Sequence, residues 1–130
     1  MDNIDRKILT ILQDNARTPL KVIAEQVFLS SPAVSARIER LEQAGFIVPV
    51  LRHPTATISP TAKAGAGTIF EAKTIVNASV NIGKGVILAS ASIVDHGATV
   101  GDYVHLAAGA MVQKGAKVPD GIKVSSGEIF

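Results

Sequence analysis

The chain of 130 residues contains no cysteine and no tryptophan. Without cysteine there is no disulfide, no thiolate nucleophile and no Cys-ligated metal, and the composition fits a reducing compartment, so a cytoplasmic location is expected. Aromatic residues reach only 4% against 47% hydrophobic, so the apolar content is aliphatic. That suits β-branched stacking better than a platform for stacking bases. Charge of one sign is scarce too. A formal net charge of +2 with no polybasic run is too small to imply a non-specific polyanion binder, which works by neutralising many phosphates at once. The opening segment MDNIDRKIL has acids among its first residues and no long apolar run, so neither a secretory signal nor a membrane span is expected. A mass of 13.5 kDa allows one ordinary domain or two very small ones, which excludes a multi-domain enzyme carrying its own cofactor fold.

Glycine is nearly absent from the first fifty residues. Gly45 stands alone there, and the other ten of the eleven glycines lie in residues 51–130 with all three histidines. The shift predicts two modules, at 1–47 and 58–130, joined by a linker at 48–57. Six Lys/Arg balance six Asp/Glu before residue 51, and seven face five after it, so the first module is neutral.

In the first module the apolar period is helical. Ile4, Ile8, Ile11 and Leu12 recur at i, i+4, i+7 and i+8 behind Asp2, a predicted N-cap with Asp5 three residues on. A second helix is predicted with Thr18 as N-cap and Pro19 at its first position, carrying Leu20, Ile23, Ala24 and Val27 inward. Ser30 or Ser31 caps a third, whose stripe is Val34, Ile38 and Leu41 and whose end is Gly45. Three short helices, the last two joined by about three residues, form a helix-turn-helix.

These residues, IDRKILTILQDNARTPLKVIAEQV, then LS, then VSARIERLEQAGFI, resemble the DNA-binding domain of the Lrp/AsnC transcription regulators over about residues 2–47. The resemblance implies a third helix lying in the major groove of DNA, with Ser31, Ser35, Arg37 and Arg40 as contacts. Two features depart from that family. Phe28 occupies the turn position where glycine is usual, which predicts a bulky residue at positive φ. The β-wing and effector-binding domain that follow in the family are replaced here by another pattern. Arg37 and Arg40 also alternate with Glu39 and Glu42, as on an ordinary solvated face, so a three-helix cap without DNA binding is the competing reading.

That other pattern is a hexad. From Ile58 every sixth residue is apolar, through Ala64, Phe70, Val76, Ile82, Leu88, Val94, Val100, Leu106, Val112, Val118 and Val124 to Phe130. Two residues before each lies a small or β-branched side chain, broken only by Glu128. Three residues after them lie glycines, from Gly67 to Gly127, where a corner needs left-handed φ. Short strands alternating with glycine corners predict a β-solenoid. This resembles the hexapeptide-repeat left-handed parallel β-helix, with three hexads per coil and about four coils. The predicted fold class is thus α+β, a three-helix helix-turn-helix followed by a left-handed parallel β-helix.

A coil of three hexads sorts the outward strand residues into three faces. Lys63, Asn81, Thr99 and Lys117 make a polar face; Ile69, Ile87, His105 and Lys123 make a mixed one. The third carries Thr57 and then Ile75, Ile93, Met111 and Ile129, an apolar column that predicts an interface. One solvated face and two partly apolar ones fit a closed homotrimer.

HPTATISPTAKAGAGTIF and IVDHGATVGDYVHLAAGA resemble the C-terminal domain of bacterial sugar acyltransferases, the sialic-acid O-acetyltransferase and amino-sugar N-acetyltransferase group, over about residues 49–130. The resemblance implies acetyl-CoA as co-substrate and a small-molecule acceptor. It makes His96 of the VDH segment the general base, with Asp95 orienting the ring or serving only as a turn residue, and it matches His105 to a second histidine of the segment. Imidazole titrates nearest to operating pH, which suits the role on chemical grounds alone. Coenzyme A would lie in the groove between subunits along Gly97, Ala107, Ala108, Gly109 and Gly115, with Lys114, one coil below His96, at its phosphates. His53 lies in the linker and reads as structural. Three scattered histidines without a paired spacing give no metal site. The expected function is an acetyl-CoA-dependent acyltransferase carrying a DNA-binding-like module. The alternatives are a transcription regulator that uses the β-helix as a trimerisation scaffold, and a natural or engineered chimera without either activity.

Overall fold

The computed structural model describes all 130 residues. Three helices come first: α1 (Asn3–Asp14), α2 (Leu20–Val27) and α3 (Ser31–Gln43). Asp2 caps α1 by accepting the Asp5 N–H, and Ser30 caps α3 by accepting from Ala33. The second cap differs from expectation. Pro19 is itself the N-cap of α2 and offers no side-chain bond, because the Thr18 hydroxyl donates to the Asn15 carbonyl instead. Leu20, at the first position of α2, is 40% exposed rather than buried. Ile8, Ile23, Ala24, Val27, Val34 and Leu41 form the core of this module. Helix α3 is capped by Ala44 and followed by Gly45 at φ +81°, with Phe46 N–H bonded back to the Leu41 carbonyl. Phe28 does adopt the left-handed conformation, φ 58° and ψ 39°, and stands 88% exposed. The Lys7 ammonium lies 5.9 Å from its ring centroid.

Thirteen two-residue strands follow, β1 (Leu51–Arg52), β2 (Thr57–Ile58), β3 (Lys63–Ala64), β4 (Ile69–Phe70), β5 (Ile75–Val76), β6 (Asn81–Ile82), β7 (Ile87–Leu88), β8 (Ile93–Val94), β9 (Thr99–Val100), β10 (His105–Leu106), β11 (Met111–Val112), β12 (Lys117–Val118) and β13 (Lys123–Val124). They stack as three parallel sheets in the orders β1-β4-β7-β10-β13, β2-β5-β8-β11 and β3-β6-β9-β12. Ile69 lies opposite Ile87 and Ile75 opposite Ile93, so each coil takes three hexads to return to the same face. The chain is a left-handed parallel β-helix of about four coils. Its first strand, β1, lies among residues read as linker, so stacking starts ahead of Ile58.

The hexad residues fill the prism. Phe70, Val76, Leu88, Val94, Val100, Leu106 and Val112 are essentially inaccessible, and only Phe130, at the end, is open at 37%. The corners turn through left-handed φ at every one of the seven glycines read from the pattern. Lys73, Ser79, Ala91 and Tyr103 occupy the same hexad position and adopt it as well. The reason is a hydrogen bond to the preceding coil. The corner N–H reaches a carbonyl there, as from Tyr103 to Lys84 and from Gly67 to Val48, or a threonine hydroxyl, as from Lys73 to Thr55. That bond compensates the strain of a side chain at positive φ.

The helical module sits on the open first coil. In the sheet ladder the upper edge of β3 would leave carbonyls unpaired, a template for unwanted strand addition. Ala16 N–H donates to the Ala64 carbonyl at 3.0 Å, and the Arg17 guanidinium donates to the carbonyls of Ser59 and Ala62 at 3.2 and 3.3 Å. The loop between α1 and α2 therefore takes the place of a preceding coil on this face.

Candidate functional site

His96 sits at a corner between Asp95, which follows β8, and left-handed Gly97. Its imidazole is exposed. Its backbone is clamped on both sides: the N–H donates to Asp95 Oδ1 at 2.7 Å and the carbonyl accepts from Gly115 N–H. Asp95 Oδ1 also accepts from Asn77 Nδ2, one coil earlier, at 2.9 Å. The His96 N–H and then the Asn77 amide hold the Asp95 carboxyl below the ordinary carboxylate range, helped by the charges of His96 and Lys114. Asp95 thus grips the backbone of the corner rather than the imidazole ring, which is the turn-residue alternative of the two readings. Sequence reasoning misses Asn77. The signal that could have found it is its place one coil, three hexads, before Asp95.

His105 lies on another face, on β10 between Ile87 and Lys123 in register, and is half-buried. The main pockets of the single chain include neither His96 nor His105. His53 is a turn residue: its Nδ1 accepts from Thr55 N–H at 3.1 Å.

The surface read as a coenzyme groove is partly committed. The N–H groups of Gly97, Ala107, Gly109 and Gly115 all donate to carbonyls of neighbouring coils, and Ala107 is buried. Ala108 is exposed and its N–H has no backbone acceptor, so it is the residue of this set with a free donor. Lys114 is exposed, and a Cβ at Gly97 or Gly115 would meet nothing within 4 Å, so the surface around them is open.

On α3 the four residues named as DNA contacts separate. Ser35 and Arg40 are exposed, and Ser31 is half-buried beside the Ser30 cap. Arg37 is occupied: its Nη1 lies 2.7 Å from Asp2 and 3.0 Å from Asp5, tying α3 to α1. These bonds engage Nη1 alone, so the ion pair holds the Arg37 side chain against α1 and leaves the other donors of the guanidinium fork without a protein partner. No group of acidic residues or histidines is arranged to hold a metal, and no helix is long and apolar enough to cross a membrane.

Residues 1–48 match the winged helix-turn-helix DNA-binding family. Over 47 residues the chain is 51% identical to the HTH-type transcriptional regulator Zrp of Zymomonas mobilis, spanning 36% of this chain and 31% of that protein. Over 47 residues it is 43% identical to the regulatory protein AsnC of Escherichia coli, again 36% of this chain and 31% of the other. The chain thus spans about a third of the length of these relatives. By structure it is similar to the acetyltransferase domain of PglB from Neisseria gonorrhoeae, with a TM-score of 0.59 and 28% identity over 76% of this chain and 57% of that one. The winged helix-turn-helix likeness and the acetyltransferase likeness correspond to the two resemblances read from the sequence.

Proposed function

We propose that the chain is an acetyl-CoA-dependent acyltransferase of the hexapeptide-repeat type, acting on a hydroxyl or amine of a sugar-like acceptor and carrying a DNA-binding-like module. The observation that carries this reading is the exposed imidazole of His96 on a rigidly clamped β-helix corner, in a solenoid similar to an acetyltransferase domain. His96 takes the proton of the acceptor as its oxygen or nitrogen attacks the thioester carbonyl, and returns it to the departing thiolate of coenzyme A. Asp95 and Asn77 position the corner. His105 of a neighbouring subunit faces His96 across the interface, and the two subunits form the cleft between them. Ala108 and Lys114 contact the coenzyme, and the trimer closes through Ile75, Ile93, Met111 and Ile129.

Calorimetric titration with coenzyme A, read together with the mass in solution, tests this. Binding near one site per chain in a trimer is expected, with His96→Ala lowering turnover roughly 10²–10⁴-fold while coenzyme A still binds. Unchanged thioester turnover in that variant would remove His96 from the chemistry, and a trimer blind to coenzyme A at millimolar concentration would leave a scaffold.

A second reading, DNA binding through α3, is favoured by the match over residues 1–48 and by the exposure of Ser35 and Arg40. A mobility shift that weakens with salt, and whose salt slope falls by about one in Arg40→Ala, supports it. Absence of any shift at low salt rejects it.

A further inference from the structure

A pocket of about 450 Å³ lies where the helices meet the first coil. Its apolar wall includes Leu12, Ile23 and Ile38 from the three helices and Ile47 and Val50 from the connection. Its charged residues are Arg17, Arg52 and Glu42. Both guanidiniums are held in place by carbonyls, Arg17 as described and Arg52 through Nη2 on the Ala56 carbonyl at 3.0 Å. Neither has a carboxylate partner, since the only ion pairs in the molecule belong to Arg37. Burial, and then the charge of Arg52, push the Arg17 guanidinium below its ordinary value. An apolar recess thus contains two arginines against one glutamate, one positive charge in excess.

We propose that this junction pocket binds a small aliphatic carboxylate, its hydrocarbon chain against Ile38, Ile47 and Val50 and its carboxylate on the free N–H groups of Arg17 and Arg52. Each guanidinium has five N–H donors in a planar fork matched to a carboxylate, and carbonyls occupy only part of each fork here. The volume falls in the range of small-molecule sites. A single negative charge cancels the excess, which favours a simple monoanion over a phosphate dianion. Because helices, connection and first coil all line the pocket, such a ligand stabilises the docked arrangement of the two modules and resists their separation. This inference does not depend on the acyltransferase reading, because the pocket includes neither His96 nor His105.

The test is a titration of the intact, methyl-labelled protein with hexanoate and with neutral hexanamide, followed by NMR. Expected are saturable shifts of the Ile38, Ile47 and Val50 methyls with hexanoate, and at least tenfold weaker binding of hexanamide. Arg52→Gln, which loses only the bond to Ala56, should keep the unliganded spectrum elsewhere and weaken hexanoate at least tenfold. Equal affinity for the two compounds, no saturation up to about 10 mM, or shifts confined to the solenoid faces would each overturn the proposal. Coenzyme A added to the same sample reports on the other site separately.

Discussion

At the scale of single residues, the solenoid's glycines serve two distinct purposes. Gly121 is at φ +72° with nothing within 4 Å of an added Cβ, so Gly121→Ala carries only the backbone cost, about 1 kcal/mol. Gly83 has no positive φ, but its Cβ would lie 2.8 Å from the backbone of Asp102 in the next coil. Gly83→Ala must therefore separate two coils, and about 2–3 kcal/mol is expected. Chemical denaturation of the two variants checks the order; a smaller loss for Gly83→Ala would contradict it. Ser92 is the opposite case, a buried hydroxyl with no partner at a hexad position that Ala98 and Ala110 fill elsewhere. Ser92→Ala is expected to stabilise by about 1 kcal/mol, read in the same experiment. Glycine corners were legible from spacing, whereas Gly83 was not, because its reason lies in a segment of the following coil.

At the scale of elements, α1 and α3 are joined by Arg37 between Asp2 and Asp5. The Arg37 bond and then the Asp5 backbone N–H hold the Asp2 carboxyl below the ordinary carboxylate range. A group with a lowered folded pKa contributes stability above its unfolded pKa and loses it as pH falls through the folded value. Asp2→Asn is therefore expected to lower the melting temperature of the helical module by no more than a few degrees at pH 7, the pair being exposed. The difference should shrink as pH falls below the ordinary aspartate range and through the lowered folded value. A pH-independent difference would assign the loss to the helix cap instead. The helices and strands themselves were readable from period, but the pairing of Arg37 required the packing angle between α1 and α3, which no local pattern contains.

For the whole molecule, the apolar column separates into exposed Ile75 and Ile129 and half-buried Ile93 and Met111. If it is the trimer seam, a charge at its centre leaves an unpaired ion in an interface. Ile93→Glu is expected to convert a particle of about three times 13.5 kDa into single chains in light scattering. Retention of the larger mass would place the interface elsewhere. His96, at the corner after β8, and His105, on β10, lie on different parts of one prism, so the proposed pairing of the two across a subunit interface stands or falls with the same measurement.

The sequence by itself determined the two modules, the helices of the first, the coil length, the inward residues and the faces, because each follows from a period of 3.6 or of six along the chain. It also singled out His96, through its neighbours. Only the tertiary structure decided that Arg37 belongs to Asp2 and Asp5, that Asn77 and Asp95 clamp a corner, and that Ala16 and Arg17 cap the strand edge of β3. The contacts of Arg37, Ala16 and Arg17 join residues that no period along the chain relates, and the Asn77–Asp95 bond, though one coil apart, needed the side-chain directions at the corner. The junction pocket belongs to the same class, for it exists only where the two modules touch.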